Sequence, residues 1–221
     1  MAGMFDAMDS HQIETMGGEQ VFDAVGQMDH GDFATMEAGN VMDMFETMGD
    51  DASNLEGDTM AGMFDSMGSD HIHDIGGDQI FEMVGGMGGS DFMTMGNDSA
   101  FGMFETMGAD LAVAMAGDTM AGMFEAMGSD HIGSIGGEQL FDMVEGMGGS
   151  DFMTMGGDSA FGMFETMGAD MAMAMGGDQI AGMFSAMEGE QLASIGGEGL
   201  VDAFANMGLD GVTTMSGDRL A

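Results

Sequence analysis

The chain contains no cysteine, proline, tryptophan or tyrosine, and its 221 residues include a single basic side chain, Arg219. Each absence removes a class of function. Without cysteine there are no disulfides, no thiolate metal sites and no cysteine nucleophile. Without lysine, and with only one arginine, there is no basic patch for direct nucleic-acid binding and no lysine for a phosphate loop. No apolar run approaches the ~18–20 residues that span a bilayer, so no transmembrane segment is expected. The opening Met1-Ala2-Gly3-Met4-Phe5-Asp6 lacks the basic region and long apolar stretch of a secretory signal. The expectation is a cytoplasmic protein, one exported by a route independent of a signal peptide, or a piece of a longer protein. With no proline and no linker-like composition, residues 1–221 read as a single repeat domain.

What the chain does contain is one sentence of twenty residues, written about eleven times: Gly-Gly-Asp-x-Met-x-x-Met-Phe-x-x-Met-Gly-x-Asp-x-Ile-x-x-Met. A fixed period of this length marks a stacked repeat. Full units begin near Gly17, Glu37, Glu56, Gly76, Gly96, Ala116, Gly136, Gly156, Gly176 and Gly196. Residues 1–16 form a partial first unit, and 196–221 a possible C-terminal cap. The Glu37 unit is one residue short, with Ala52, Ser53, Asn54 and Leu55 its least regular part. A longer period of sixty lies on top: Gly57 to Met115 is nearly repeated from Gly117 to Met175. That near-identity points to duplication of a three-unit block. The chain resembles repeat proteins in general, and the resemblance carries no activity.

Within a unit, apolar residues fall at positions 5, 8, 9 and 12, as in Met60, Met63, Phe64 and Met67 or Leu140, Met143, Val144 and Met147. This is the i, i+3, i+4, i+7 spacing of one helical face. Asp58 or Glu138 suits an N-cap, and Gly68 or Gly148 a left-handed C-cap. A second group follows, with Asp70 as cap and then Ile72 and Ile75, closed by Gly76-Gly77. The predicted fold is all-α, a solenoid of short helix-turn-helix repeats, with a helix of about nine residues and a helical turn of about five per unit. The alternative is a β-solenoid with one coil per twenty residues. A pentapeptide-type coil needs an apolar residue every five positions, whereas position 10 is acidic at Asp65 and Glu125, and Met, Ala and Asp outweigh Val and Ile. Helices of this length are marginal alone in water and must share stability along a stack.

Forty Asp and Glu against one Arg give a net charge of −39. A fold so poor in counter-charge repels itself. Either the carboxylates simply solvate a methionine-rich stack, or cations complete the fold. Calcium is the obvious divalent candidate, since its ligands are carboxylate and carbonyl oxygens. High salt would serve the same end, the Debye length falling to ~3 Å near 1 M. There is no EF-hand loop and no Gly-Gly-x-Gly-x-Asp nonapeptide run. If each unit adds ~8–10 Å, the charge is about two-thirds as dense as the ~60 phosphates of duplex DNA over the same roughly 100 Å. An acidic decoy that binds a basic partner is therefore physically possible.

Thirty-five methionines are the other excess. Most fall on the predicted buried stripe, where a flexible thioether fills irregular gaps. The alternative is a soft-metal module for Cu(I) or Ag(I). Its best candidates lie off the stripe, at Met171, Met173 and Met175 and at Met153 and Met155. Leu111 and Val113 replace methionine in the related block, as a strict ligand set would not allow. Of the histidines His11, His30, His71, His73 and His131, only His71 and His73 are close in sequence. With Asp70 and Asp74 they form a candidate divalent site, against the plainer reading of a solvent-facing turn, which the lone His131 of the matching unit supports. The carboxylates recur as a periodic row, whereas enzymes need an asymmetric pocket that pushes pKa values apart. No catalytic constellation is expected.

The phase of the repeat adds one expectation. Met1 falls at position 5, and Met1, Met4, Phe5 and Met8 form an apolar start; Arg219 and Leu220 stand at the other end. Head-to-tail stacking of one copy on the next would propagate into a filament. The sequence therefore reads as a non-enzymatic structural or self-assembling repeat protein, its acidic surface screened by divalent cations or salt.

Overall fold

The computed structural model describes residues 2–214, and side chains in that range apart from Glu198 and residues 208–214. The described residues are all-α, with no strand. The β-coil alternative is thereby set aside. The chain divides into two compact units, Met1–Ala112 and Val113–Ala221.

In the first unit the helices are α1 (Ala2–Phe5), α2 (Ser10–Met16), α3 (Gly18–Val25), α4 (His30–Phe33) and α5 (Ala38–Met48). A 3-10 turn over Gly49–Asn54 leads to α6 (Gly57–Ile72), α7 (Gly77–Val84), α8 (Gly89–Phe92), α9 (Asn97–Met107) and α10 (Ala109–Ala112). Helix α6 packs on α4, α5 and α9, and α7 on α9 and α10. The second unit contains α11 (Gly117–Ile132), α12 (Gly137–Val144), α13 (Gly149–Phe152), α14 (Gly157–Met167), α15 (Ala169–Ala172), α16 (Gly177–Ala186), α17 (Gly189–Ile195) and α18 (Gly197–Thr214). There α11 packs on α14, and α16 on α13 and α18.

The apolar stripe is the core. Positions 5, 8, 9 and 12 are buried in all nine units that begin from Gly17 to Gly176, from Val21, Ala24, Val25 and Met28 to Ile180, Met183, Phe184 and Met187. The second group is buried as well, through Phe33, Ile72, Phe92, Ile132 and Phe152. Burying each such side chain is worth about 1.5–3 kcal/mol. Without partner helices these short segments would not persist.

The ends of the helices differ from the sequence expectation in a consistent way. Asp58 and Glu138 are not N-caps. The caps are Glu56 and Gly136, two residues earlier, and neither makes a side-chain cap bond; the carboxylates lie inside the first turn, where the helix dipole still favours them. Asp70 likewise lies within α6 rather than at its cap. Gly68 has the expected positive φ, but at φ 69°, ψ 167° it is the mirror image of extended backbone and not a left-handed helical cap. That conformation is open essentially to glycine alone, and it turns the chain directly from the long helix into the short one. Gly148, at φ −88°, is instead the N-cap of α13, where its N–H donates to Asp151 Oδ2 at 2.8 Å.

Helix lengths also alternate with a period of three units. Helices α3, α7 and α12 have 8 residues. The two main helices that follow each run longer: α5, α9 and α14 have 11, while α6 and α11 reach their kinks at Gly68 and Gly128. The cause is local. Gly26, Gly85-Gly86 and Gly146 stand at positions 10–11 of the short-helix units, where the long helices carry Glu46-Thr47, Asp65-Ser66 or Glu125-Ala126. Glycine costs ~1 kcal/mol against alanine in a helix, and the short helices stop there.

Candidate functional site: carboxylates and histidines between the repeats

A set of side-chain bonds joins residues 31–35 positions apart, in repeats two units removed. Where a short-helix unit meets the second long helix after it, the early helix end leaves methionine carbonyls without helical partners. Thr59 Oγ1 donates to Met28 O at 3.1 Å in the first unit. In the second, Gln179 Nε2 donates to Met147 O at 2.7 Å and Val144 O at 3.0 Å. Where a second long helix meets the next first long helix, a position-10 carboxylate supplies the N-terminal cap that the helix's own sequence lacks. Asp65 Oδ1 accepts from Gly96 N at 2.7 Å, and Glu125 Oε2 from Gly156 N at 2.7 Å. Asp6 Oδ1 does the same for Glu37 N at 3.4 Å. Each satisfies one of the four orphan N–H groups of a helix start.

Two histidines lie beside position-10 carboxylates. His30 Nε2 is 3.8 Å from Asp65 Oδ2, and its side chain is 25% exposed. His30 Nδ1 is buried with no hydrogen-bond partner among the described residues. His73 Nε2 is 3.5 Å from Glu105 Oε2, with both side chains near half-exposed.

The four residues read as a divalent site do not converge. His71 Nδ1 bonds the carbonyl of Met67 at 3.0 Å, and His73 Nδ1 that of Ser69 at 2.6 Å. Asp70 and Asp74 are exposed. His73 turns to Glu105 instead, 32 residues on. Among the described residues, no group of three or more His, Asp or Glu is placed to hold a metal ion. His131 repeats the His71 arrangement, with Nδ1 at 3.0 Å from Met127 O.

The off-stripe methionines separate by burial: Met153 is 54% exposed, whereas Met155 and Met175 are buried. At the apolar start, Phe5 is fully buried, Met8 half-buried and Met4 47% exposed. Met1, Arg219 and Leu220 lie outside the described residues. No helix among the described residues is long and apolar enough to cross a membrane.

The bonding carboxylates were not singled out by the sequence as functional. Asp65 and Glu125 enter that reading only as charges that break a β-coil pattern. Their recurrence at the same phase, sixty residues apart, is the signal that marks them. No family model, curated protein or solved structure matches the chain.

Proposed function

We propose that this chain is a non-enzymatic structural repeat protein, an α-helical solenoid that self-assembles and whose acidic surface is screened by salt or divalent cations. One observation carries the reading: the polar groups that recur in phase bond one repeat to another. Asp65, Glu125, Thr59 and Gln179 are occupied in holding helix ends together. Such bonds suit a protein whose task is to keep a shape. Stability in stacked repeats is a sum of unit and neighbour terms, so bonds between units weigh heavily.

Met4 is 47% exposed, whereas its equivalents at position 8, such as Met63 and Met123, are buried. A further repeat stacked on α1 would cover it, and in the proposed assembly a second copy supplies that repeat. The charge of −39 opposes such stacking at low ionic strength. Assembly is therefore expected to grow with salt, as the Debye length falls from ~30 Å at 0.01 M to ~3 Å at 1 M. Analytical ultracentrifugation and negative-stain microscopy across this range test it. Larger particles or fibres at high salt are expected, and a strictly monomeric species throughout refutes self-assembly. Thermal unfolding with calcium, chelator and matched sodium chloride separates the cations. A midpoint that calcium raises more than equal ionic strength does indicates bound divalent ions, while one that no salt moves removes the screening argument.

A further inference from the structure

An open cleft of about 260 Å³ lies in the second unit between α14 and α17. Its lining includes Phe161, Phe164 and Glu165 from α14, Ala169 at the start of α15, and Ser194 and Ile195 from the end of α17. The two main walls are tied together: Gln191 Nε2 on α17 donates to Asp158 Oδ1 on α14 at 2.8 Å. Phe164 is held from behind by Phe184, whose ring meets it edge-on at 5.8 Å between centroids. Phe161 is half-buried and Glu165 exposed, so an aromatic wall stands beside a solvated carboxylate. The volume falls below the ~300–1,000 Å³ of small-molecule sites.

The first unit shows the same carboxylate position with an imidazole beside it. Phe101, Phe104 and Glu105 on α9 are the same three residues sixty positions earlier, and Glu105 lies 3.5 Å from the His73 imidazole. The residue sixty positions after His73 is Gly133. Glu165 has no hydrogen-bond or ion-pair partner among the described residues. We propose that the Phe161–Glu165 cleft receives the lysine or arginine side chain of a basic protein segment, its stem against the phenylalanines and its charge at Glu165. Cations are favoured over aromatic faces, and a net charge of −39 draws basic segments toward the whole molecule. The 221 residues hold one such side chain and no basic segment, so the proposed occupant is a lysine- or arginine-bearing partner protein. Occupancy does not depend on self-association.

General attraction to an acidic surface must be separated from a site. The probe is a capped Gly-Gly-Lys-Gly-Gly peptide, titrated at about 0.15 M salt, where the Debye length is about 8 Å. The readout is the Ile195 methyl signal in the NMR spectrum of the full chain. The same peptide with norleucine in place of lysine keeps the stem and removes the charge. The lysine peptide is expected to move the signal saturably and to bind at least about fivefold more tightly than the norleucine peptide. Glu165→Gln, a change at an exposed position that leaves folding intact, should erase that difference. Phe161→Ala should weaken both peptides. Asp142→Asn, at an exposed carboxylate on α12, should stay within about twofold of the unaltered chain. Equal binding of the two peptides, an unmoved Ile195 signal, or equal losses in Glu165→Gln and Asp142→Asn would each overturn the proposal.

Discussion

Replacing Gly182 by alanine sets two effects against each other. Gly182 is inside α16, with ordinary helical backbone, where alanine is intrinsically better by ~1 kcal/mol. However, a Cβ built at this residue would come within 2.1 Å of Gly149 O and 2.7 Å of Gly149 C and Cα. Ordinary contacts lie near 3.5–4 Å, so α13 must retreat by more than 1 Å or α16 must tilt. The obstructing atoms are backbone, so no rotamer change relieves the clash. Overpacking of this kind costs typically 1–3 kcal/mol, occasionally more. A clash with backbone stands near the upper end of that range, about 2–3 kcal/mol, so the net expectation is a loss of about 1–2 kcal/mol, a fall of roughly 2–8 °C in melting temperature for a chain of this size. Gly189→Ala is the control. It opens α17, is exposed, and its Cβ would meet nothing within 4 Å, so it should be neutral or stabilising by up to ~1 kcal/mol. Thermal unfolding followed by circular dichroism compares the three chains. A Gly182→Ala chain that melts at or above the parent would show that α13 and α16 are not in backbone contact.

Further outcomes follow from the bonds between repeats. Thr59→Val keeps the shape of the buried side chain but strands the Met28 carbonyl, and should cost about 1–3 kcal/mol in urea unfolding; a loss below 0.3 kcal/mol, within the scatter of surface changes, would deny that bond a structural role. Asp65→Asn removes the charge at the Gly96 N–H and should cost about 0.5–1 kcal/mol. Asp65→Ala should cost more, through loss of the cap itself, up to ~2 kcal/mol; hydrogen exchange at the Gly96 amide should quicken in step. Asp74→Asn, at an exposed carboxylate of the short-turn cluster, should change stability by no more than ~0.5 kcal/mol, and a larger calcium-dependent change would restore the divalent-site reading of Asp70, His71, His73 and Asp74.

The core was legible residue by residue. Met60, Met63, Phe64 and Met67 are spaced as one helical face, and all are buried. Burial needs only that some neighbour cover the stripe, and local spacing states which side must be covered. It does not state which neighbour does so. The link from Asp65 to Gly96 crosses 31 residues, and that distance is set by how successive turns bring units together. The helix begins before Asp58 because Gly57, a turn residue by its sequence, is helical. A Cβ there would meet the Asp91 carboxylate, which would have to swing aside. The histidines were paired by adjacency, His71 with His73. On a helix, residues two apart point away from each other, and His73 meets Glu105 instead.

The order of one short helix and two long ones bears on how such a chain changes its length. Thr59 and Gln179 find methionine carbonyls because a short-helix unit comes two repeats before each of them. Asp65 and Glu125 find free N–H groups because a first long helix comes two repeats after. Deleting or duplicating twenty residues would shift each of these side chains to a neighbour of the wrong kind. A change of sixty would return every one of them to its own kind of partner. The near-repeat of Gly57–Met115 at Gly117–Met175 is of this permitted size. A block of sixty is thus the shortest change in length that keeps every one of these bonds, three times the repeat that first catches the eye.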